Sequence, residues 1–246
     1  MKKIIKSIII VLILALVIFL AYKAYMFMYS KNIVSKYLEN SDKNYIATVT
    51  RTDYVNNSKT ISKYWNSDKF FKNEIKSIEL NKEENLDESR AIVSIKNKEQ
   101  NVTISPSITD DGKKTASVMY GNVPINDGLF ETYGRTLDYS LLKDLKLNLI
   151  DKIYAYIEFF EYNVPTYIKS ENYLGKDCYV LIWGINKYNC SKLYIEKDTY
   201  LPIVYTRGQD EFITYDMNLR TVTDEEINYP DLSEYYTSIV YIEKNW

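Results

Sequence analysis

The strongest pattern in the chain is its first stretch. From Ile4 to Tyr29 it reads IIKSIIIVLILALVIFLAYKAYMFMY, without a charge between Lys6 and Lys23. That uncharged run is 16 residues, about 24 Å of helix against a bilayer core of about 30 Å. Apolar residues resume after Lys23 with Tyr25, Met26, Phe27 and Met28, and a lysine there can snorkel to the interface. Tyr22, Tyr25 and Tyr29 fall where an aromatic belt sits. The pattern predicts a cytoplasmic stub and membrane-spanning helix over residues 1–29, followed by one domain over residues 30–246.

Beyond the span the periodicity changes twice. Ile33, Val34, Tyr37 and Leu38 recur at helical spacing, so the helix continues to about Glu39 and packs one face on the domain. Asn40-Ser41-Asp42 then favours a turn. Alternation predicts strands from Tyr45 to Asp53, Lys59 to Trp65, Lys69 to Ile78, Arg90 to Lys96, Asn101 to Ser105 and Lys113 to Tyr120. Short polar turns join the first three into an antiparallel meander, and Glu79 to Ser89 reads as a loop. After a loop punctuated by Gly121, Pro124, Gly128 and Gly134, the period returns to helix. Leu142, Leu145, Leu149, Ile153, Tyr156, Ile157 and Phe160 form one stripe of a helix spanning Tyr139 to Tyr162, or of two helices with a break near Asn148-Asp151.

Strands resume at Thr166 to Tyr173, Asp177 to Trp183, Lys192 to Lys197, Leu201 to Arg207 and Glu211 to Val222. Both faces of Asp177 to Trp183 are apolar, as in a strand covered on both sides. Asp224 to Tyr235 reads as a surface segment. The fold class is therefore α+β: an N-terminal transmembrane helix, then a curved antiparallel sheet wrapped on helices.

Charge sets the orientation. Lys2, Lys3 and Lys6 precede the span and no acid appears before Glu39, which places the N-terminus in the cytoplasm and the domain outside. A cleaved signal peptide is the rival reading, although Ala21-Tyr22-Lys23-Ala24-Tyr25 offers no good small-x-small cleavage site. A lipid-modified cysteine at the anchor is excluded, because the first Cys is Cys178. The formal charge of −2 becomes −6 when Lys2, Lys3, Lys6 and Lys23 are set aside. No basic run with interleaved aromatics tracks a phosphate backbone, so nucleic acid is not a partner.

Composition narrows the chemistry further. There is no histidine, which removes the usual general base, the usual zinc ligand and any Ser-His or Cys-His pair. Paired carboxylates or a Ser-Lys pair remain open to an enzyme, but neither has a recognisable motif. The expectation is no catalysis, no cofactor and no metal. Asp110-Asp111-Gly112 reads as a hairpin turn, since no calcium-loop spacing follows it.

Cys178 and Cys190 are the two cysteines. They lie on adjacent predicted strands with Gly184 midway, and a hairpin centred there would face them for a disulfide closing a loop worth about 3 kcal/mol. Two separate thiols are the alternative. Asn56, Asn101 and Asn189 each match a glycosylation acceptor pattern, as an Asn-rich chain does by chance.

The C-terminal third carries a resemblance. Gly175-Lys176-Asp177-Cys178-Tyr179-Val180, then the run from Leu193 to Ile203, then Thr221 to Ile227 with Pro230-Asp231-Leu232, is similar to the LolA-like (outer-membrane lipoprotein carrier-like) superfamily. The order helix, meander, central helices, meander is similar too. The resemblance implies an incomplete β-barrel with helices over an apolar cavity that takes a lipid or an acyl chain. The chain departs from it by keeping a membrane anchor. The candidate lining is Leu145, Leu149, Ile153, Tyr156, Phe160, Leu181 and Trp183, between the sheet and the central helix. The alternative is a cell-envelope sensor or protein-interaction domain whose core is filled by the same residues.

Overall fold

The structure, a computed structural model, describes residues 2–40, 42–80, 91–110, 112–121, 148, 150–152, 154–155, 158, 163–184 and 190–241. A single helix α1, Lys2–Leu38, runs for 37 residues, about 55 Å at 1.5 Å per residue. It contains neither glycine nor proline, so nothing in its backbone breaks it. Its two halves live in different surroundings. Apolar residues from Ile5 to Leu20 are about half exposed or more. Met26, Ser30, Ile33, Val34 and Tyr37 are at most 4% exposed. The spacing of 26, 30, 33 and 37 puts them on one face of the helix, and the continuation expected from the sequence is present.

Twelve strands follow: β1 Tyr45–Asp53, β2 Ser58–Asn66, β3 Phe71–Glu79, β4 Ile92–Lys96, β5 Gln100–Ile108, β6 Lys114–Tyr120, β7 Tyr167–Tyr173, β8 Lys176–Trp183, β9 Ser191–Glu196, β10 Pro202–Arg207, β11 Glu211–Leu219 and β12 Tyr236–Tyr241. They form one sheet in the order β12-β6-β5-β4-β3-β2-β1-β11-β10-β9-β8-β7. Pairing is antiparallel except between β12 and β6. The sheet is two meanders fused at the middle, where β1 pairs with β2 on one side and β11 on the other along all nine of its residues. The eleven strands expected from the sequence are all present, with ends within three residues of those expected.

The apolar side of the sheet changes along its width. In the half containing β1, β11, β9 and β8, the core lies on the side that α1 covers. Tyr45, Ala47, Tyr215, Leu193, Ile195 and Leu181 cluster there with Met26, Ile33, Val34 and Tyr37. In the half containing β3 to β6 the core lies on the other side. Ile46, Trp65, Lys72, Ile95, Val102 and Val118 form one row through successive pairings. Lys72 fits there because its ammonium lies 4.7 Å from the Trp65 ring centre and 3.1 Å from Glu74. The opposite row, Ala47, Tyr64, Asn73, Ser94, Thr103 and Ser117, turns polar from β3 onward. With a side-chain period of two, this exchange needs only a change in which alternate positions are apolar.

The segment after β11 corrects a sequence expectation. It is not a plain surface segment: Val222 and Ile227 are 6% and 1% exposed and pack with Ile95. The short helix α2, Asp224–Ile227, is tied at its start by Glu226, whose carboxylate accepts from the Thr223 N–H at 3.0 Å. Glu226 also accepts from Arg220 at 2.5 Å, and the guanidinium holds its carboxyl down at about 2. Leu232 and Tyr235 then cover Val102, Ile104, Ala116 and Val118. Finally β12, which the sequence pattern does not predict, lies parallel beside β6.

Among the described residues α1 packs one face on the sheet, which falls short of the expected sheet wrapped on helices. The expected central helix over 139–162 falls mostly outside the described residues; residues 150–152, 154–155 and 158 are helical.

Candidate functional site

The sequence pattern places a ligand between the sheet and the central helix over 139–162; of its candidate lining, Leu181 and Trp183 on β8 lie among the described residues. β8 is apolar on both faces, as expected. Leu181 belongs to the cluster under α1, whereas Cys178, Val180 and Ile182 join Tyr194 and Val204 in a second cluster on the reverse side. Leu181 is fully buried. Trp183 is half-buried, and its indole N–H donates to the Asn163 carbonyl at 2.9 Å. Leu145, Leu149, Ile153, Tyr156 and Phe160 lie outside the described residues.

The second half of α1 packs one face on the domain, as its helical spacing predicts, and joins the cluster of β1, β8, β9 and β11. The signal is there in the apolar spacing through Met26, Ile33, Val34 and Tyr37.

Aromatic and polar contacts stitch α1 to the sheet in ascending order. The Tyr22 hydroxyl donates to the Thr166 carbonyl at 2.9 Å. Tyr25 stacks on Tyr29 with ring centres 6.0 Å apart, and Tyr29 meets Tyr179 edge-on at 6.4 Å. Tyr179 lies 6.0 Å from Tyr200. The Lys36 ammonium donates to the Tyr200 hydroxyl at 3.1 Å and sits 4.7 Å from its ring centre. That ammonium lowers the Tyr200 hydroxyl pKa, while burial raises that of Tyr179. Last, the buried Asn40 side chain donates to the carbonyls of Thr199 and Tyr200 at 3.1 and 3.2 Å.

These contacts hold the Lys197-to-Leu201 turn, where Tyr200 adopts a left-handed φ of 56°. Beside it opens a pocket of about 370 Å³ whose lining includes Lys176, Glu196, Thr199, Pro202, Asp216 and Asn218. Its size lies at the low end for ligand sites, about 300–1,000 Å³, and Leu201, Ile203, Tyr215, Met217 and Leu219 line it together with those side chains. Glu196 is already engaged by Lys176 at 3.2 Å and by the Thr199 hydroxyl at 2.6 Å. The pocket therefore offers both hydrogen bonds and apolar contact.

The expected Cys178–Cys190 disulfide is corrected: both residues are free thiols. Cys178 pairs with Glu196, and Trp183 with Ser191, so the hairpin is centred near residue 187 rather than Gly184. Cys190 follows Ser191's end of the ladder, about 20 Å along the strands from Cys178, far beyond disulfide reach. Burial pushes the Cys178 thiol pKa up. In the native protein, iodoacetamide will therefore modify Cys190 and leave Cys178 until denaturant is added. Intact mass before and after unfolding checks this, and equal modification of both thiols before denaturant would contradict it.

The chain matches no protein-family model and no curated protein. Among solved structures, an uncharacterised conserved protein from Thermus thermophilus is 8% identical, with a TM-score of 0.46 over 87% of this chain and 99% of that one. The MucA/MucB complex of Pseudomonas aeruginosa aligns at 12% identity and a TM-score of 0.40, over 81% of this chain and 60% of that one. A LolA superfamily protein from Nitrosomonas europaea aligns at 12% identity and a TM-score of 0.27, over 79% and 94%. The superfamily that the C-terminal third resembles is thus among the structures found. Scores this low carry no functional argument, so function rests on the chain's own residues.

Proposed function

We propose that this chain is a non-catalytic binding domain held at the outer surface of the cytoplasmic membrane by α1. The observation that carries the reading is the division of that one helix. The helix is long and apolar enough to cross a membrane, and its most apolar window is not buried in the protein. Its second half is core. A stretch of helix as apolar and as exposed as the first half needs a lipid partner.

The described residues favour a protein partner, as in a sensor or interaction domain. The apolar side of β8, β9, β11 and β1 is occupied by α1. What continues from it across β3 to β6 is a polar row of Asn73, Ser94, Thr103 and Ser117, which suits hydrogen bonds better than an acyl chain. A second reading, a lipid or acyl chain held between the sheet and the segment 139–162, is supported by the apolar stripe Leu145, Leu149, Ile153, Tyr156 and Phe160.

Native mass spectrometry of the full chain, extracted from membranes in mild detergent, separates the two. The interaction reading expects the bare polypeptide mass. A stoichiometric lipid adduct that survives delipidation would overturn it in favour of the second.

A further inference from the structure

The continuity of α1 fixes the height of the domain above the bilayer, and that height is nearly zero. This inference rests on α1 being a membrane span. The uncharged run of 16 residues is about 24 Å long, less than a bilayer core of about 30 Å. Tyr22, at its end, therefore sits no higher than the headgroup boundary. Its hydroxyl donates to the Thr166 carbonyl at 2.9 Å, so the residues just before β7 sit at that depth too.

From there the contacts climb. Tyr29 meets Tyr179, Lys36 meets Tyr200, and Asn40 meets Thr199. The strand β7 thus rises from the membrane along with α1, and its first residues are at the lower rim.

Strand pairing carries that rim across the sheet. Tyr167 pairs with Ile182, Trp183 with Ser191, Ser191 with Arg207, Arg207 with Glu211 and Glu211 with Asp53. The rim ends in the four-residue turn between β1 and β2. Reach permits it: β1 starts beside the end of α1 and returns for nine residues, about 31 Å. The stretch of α1 from Tyr22 to Leu38 rises about 24 Å, so β1 reaches the boundary even when inclined by about 40°.

That turn is built to present two side chains. Its backbone is braced by the Tyr54 N–H to the Asp210 carbonyl at 2.8 Å, and by the Leu80 N–H to the Asn57 carbonyl at 3.0 Å. The Asp53 carboxylate accepts from the Asn56 N–H at 2.9 Å and from its side-chain amide at 2.8 Å, which turns the acid inward on its own loop. Tyr54 and Val55 are left 60% and 71% exposed, and Tyr167 on the same rim 44%. Tyrosine, with an apolar ring and a polar tip, is a residue of the interface. Exposure alone does not decide the matter, because Leu174 is 81% exposed in the β7–β8 turn at the far end. Position decides it. We propose that Tyr54, Val55 and Tyr167 rest in the outer headgroup layer of the membrane that α1 crosses, making this rim a lipid-docking surface.

The test uses the full chain in phosphatidylcholine–phosphatidylglycerol vesicles, in a Cys190→Ser background, with nitroxides placed singly by Leu14→Cys, Val55→Cys and Leu174→Cys. Collision with dissolved oxygen and with a water-soluble nickel chelate reports depth. Leu14 should read deep and Leu174 aqueous. Val55 should collide with the nickel chelate several-fold less often than Leu174. A deep Leu14 with Val55 as aqueous as Leu174 overturns the docking surface alone, whereas an aqueous Leu14 overturns the span and the docking surface together.

Discussion

A chain that begins at residue 24 will fold, and one that begins at residue 40 will not. Removing 1–23 takes away apolar residues that are mostly exposed and one tyrosine hydrogen bond to Thr166. Removing the rest of α1 strips Met26, Ile33, Val34 and Tyr37 from the cluster that holds Tyr45, Leu181, Leu193, Ile195 and Tyr215. Burial of such side chains contributes about 1.5–3 kcal/mol each, so the four together amount to roughly 6–12 kcal/mol. A typical domain has a net stability of about 5–15 kcal/mol, so the loss consumes most or all of it. Circular dichroism and the dispersion of amide resonances will separate the two truncations. A cooperatively melting chain lacking residues 1–39 would show that the helix is an ornament on an independent sheet.

The second large effect is expected at Leu181. Fully buried beneath α1, it should lose about 2–5 kcal/mol on Leu181→Ala through lost burial and the cavity left behind. For a domain of this size that is a fall in Tm of roughly 5–15 °C, read by calorimetry on detergent-solubilised protein. Were Leu181 instead the wall of an open ligand cavity, truncation would enlarge an existing space at small cost. A Tm within a degree or two of the parent would therefore revive the acyl-chain reading at this residue.

Much of the architecture is legible in local alternation. Tyr45, Ala47 and Val49 against Thr48 and Thr50 announce β1, and short Asn- and Ser-rich turns announce its neighbours. The helical spacing from Ile33 to Leu38 announces that α1 enters the domain. What local pattern does not carry is pairing between distant segments. β12 lies parallel to β6, more than a hundred residues away, and no turn signal reports such a contact.

Register is likewise silent in the residues themselves. Both cysteines sit where a hairpin around Gly184 would face them, but the ladder is centred three residues further on, and a shift of that size separates them completely. The spacing announces that α1 enters the domain, but which strands its inner face reaches, β8 and β9 among them, is again long-range information that local periodicity does not carry.

The unbroken α1 has a mechanical corollary. With α1 crossing the bilayer as proposed, the sheet is mounted on a shaft, with no swivel between shaft and load, and the bilayer governs its attitude. A change of lipid thickness that leans the transmembrane half by about 10° must lean the sheet by the same angle, displacing a point about 30 Å up the shaft sideways by about 5 Å. A flexible stalk would absorb such a movement; this one delivers it whole to whatever the upper edge touches.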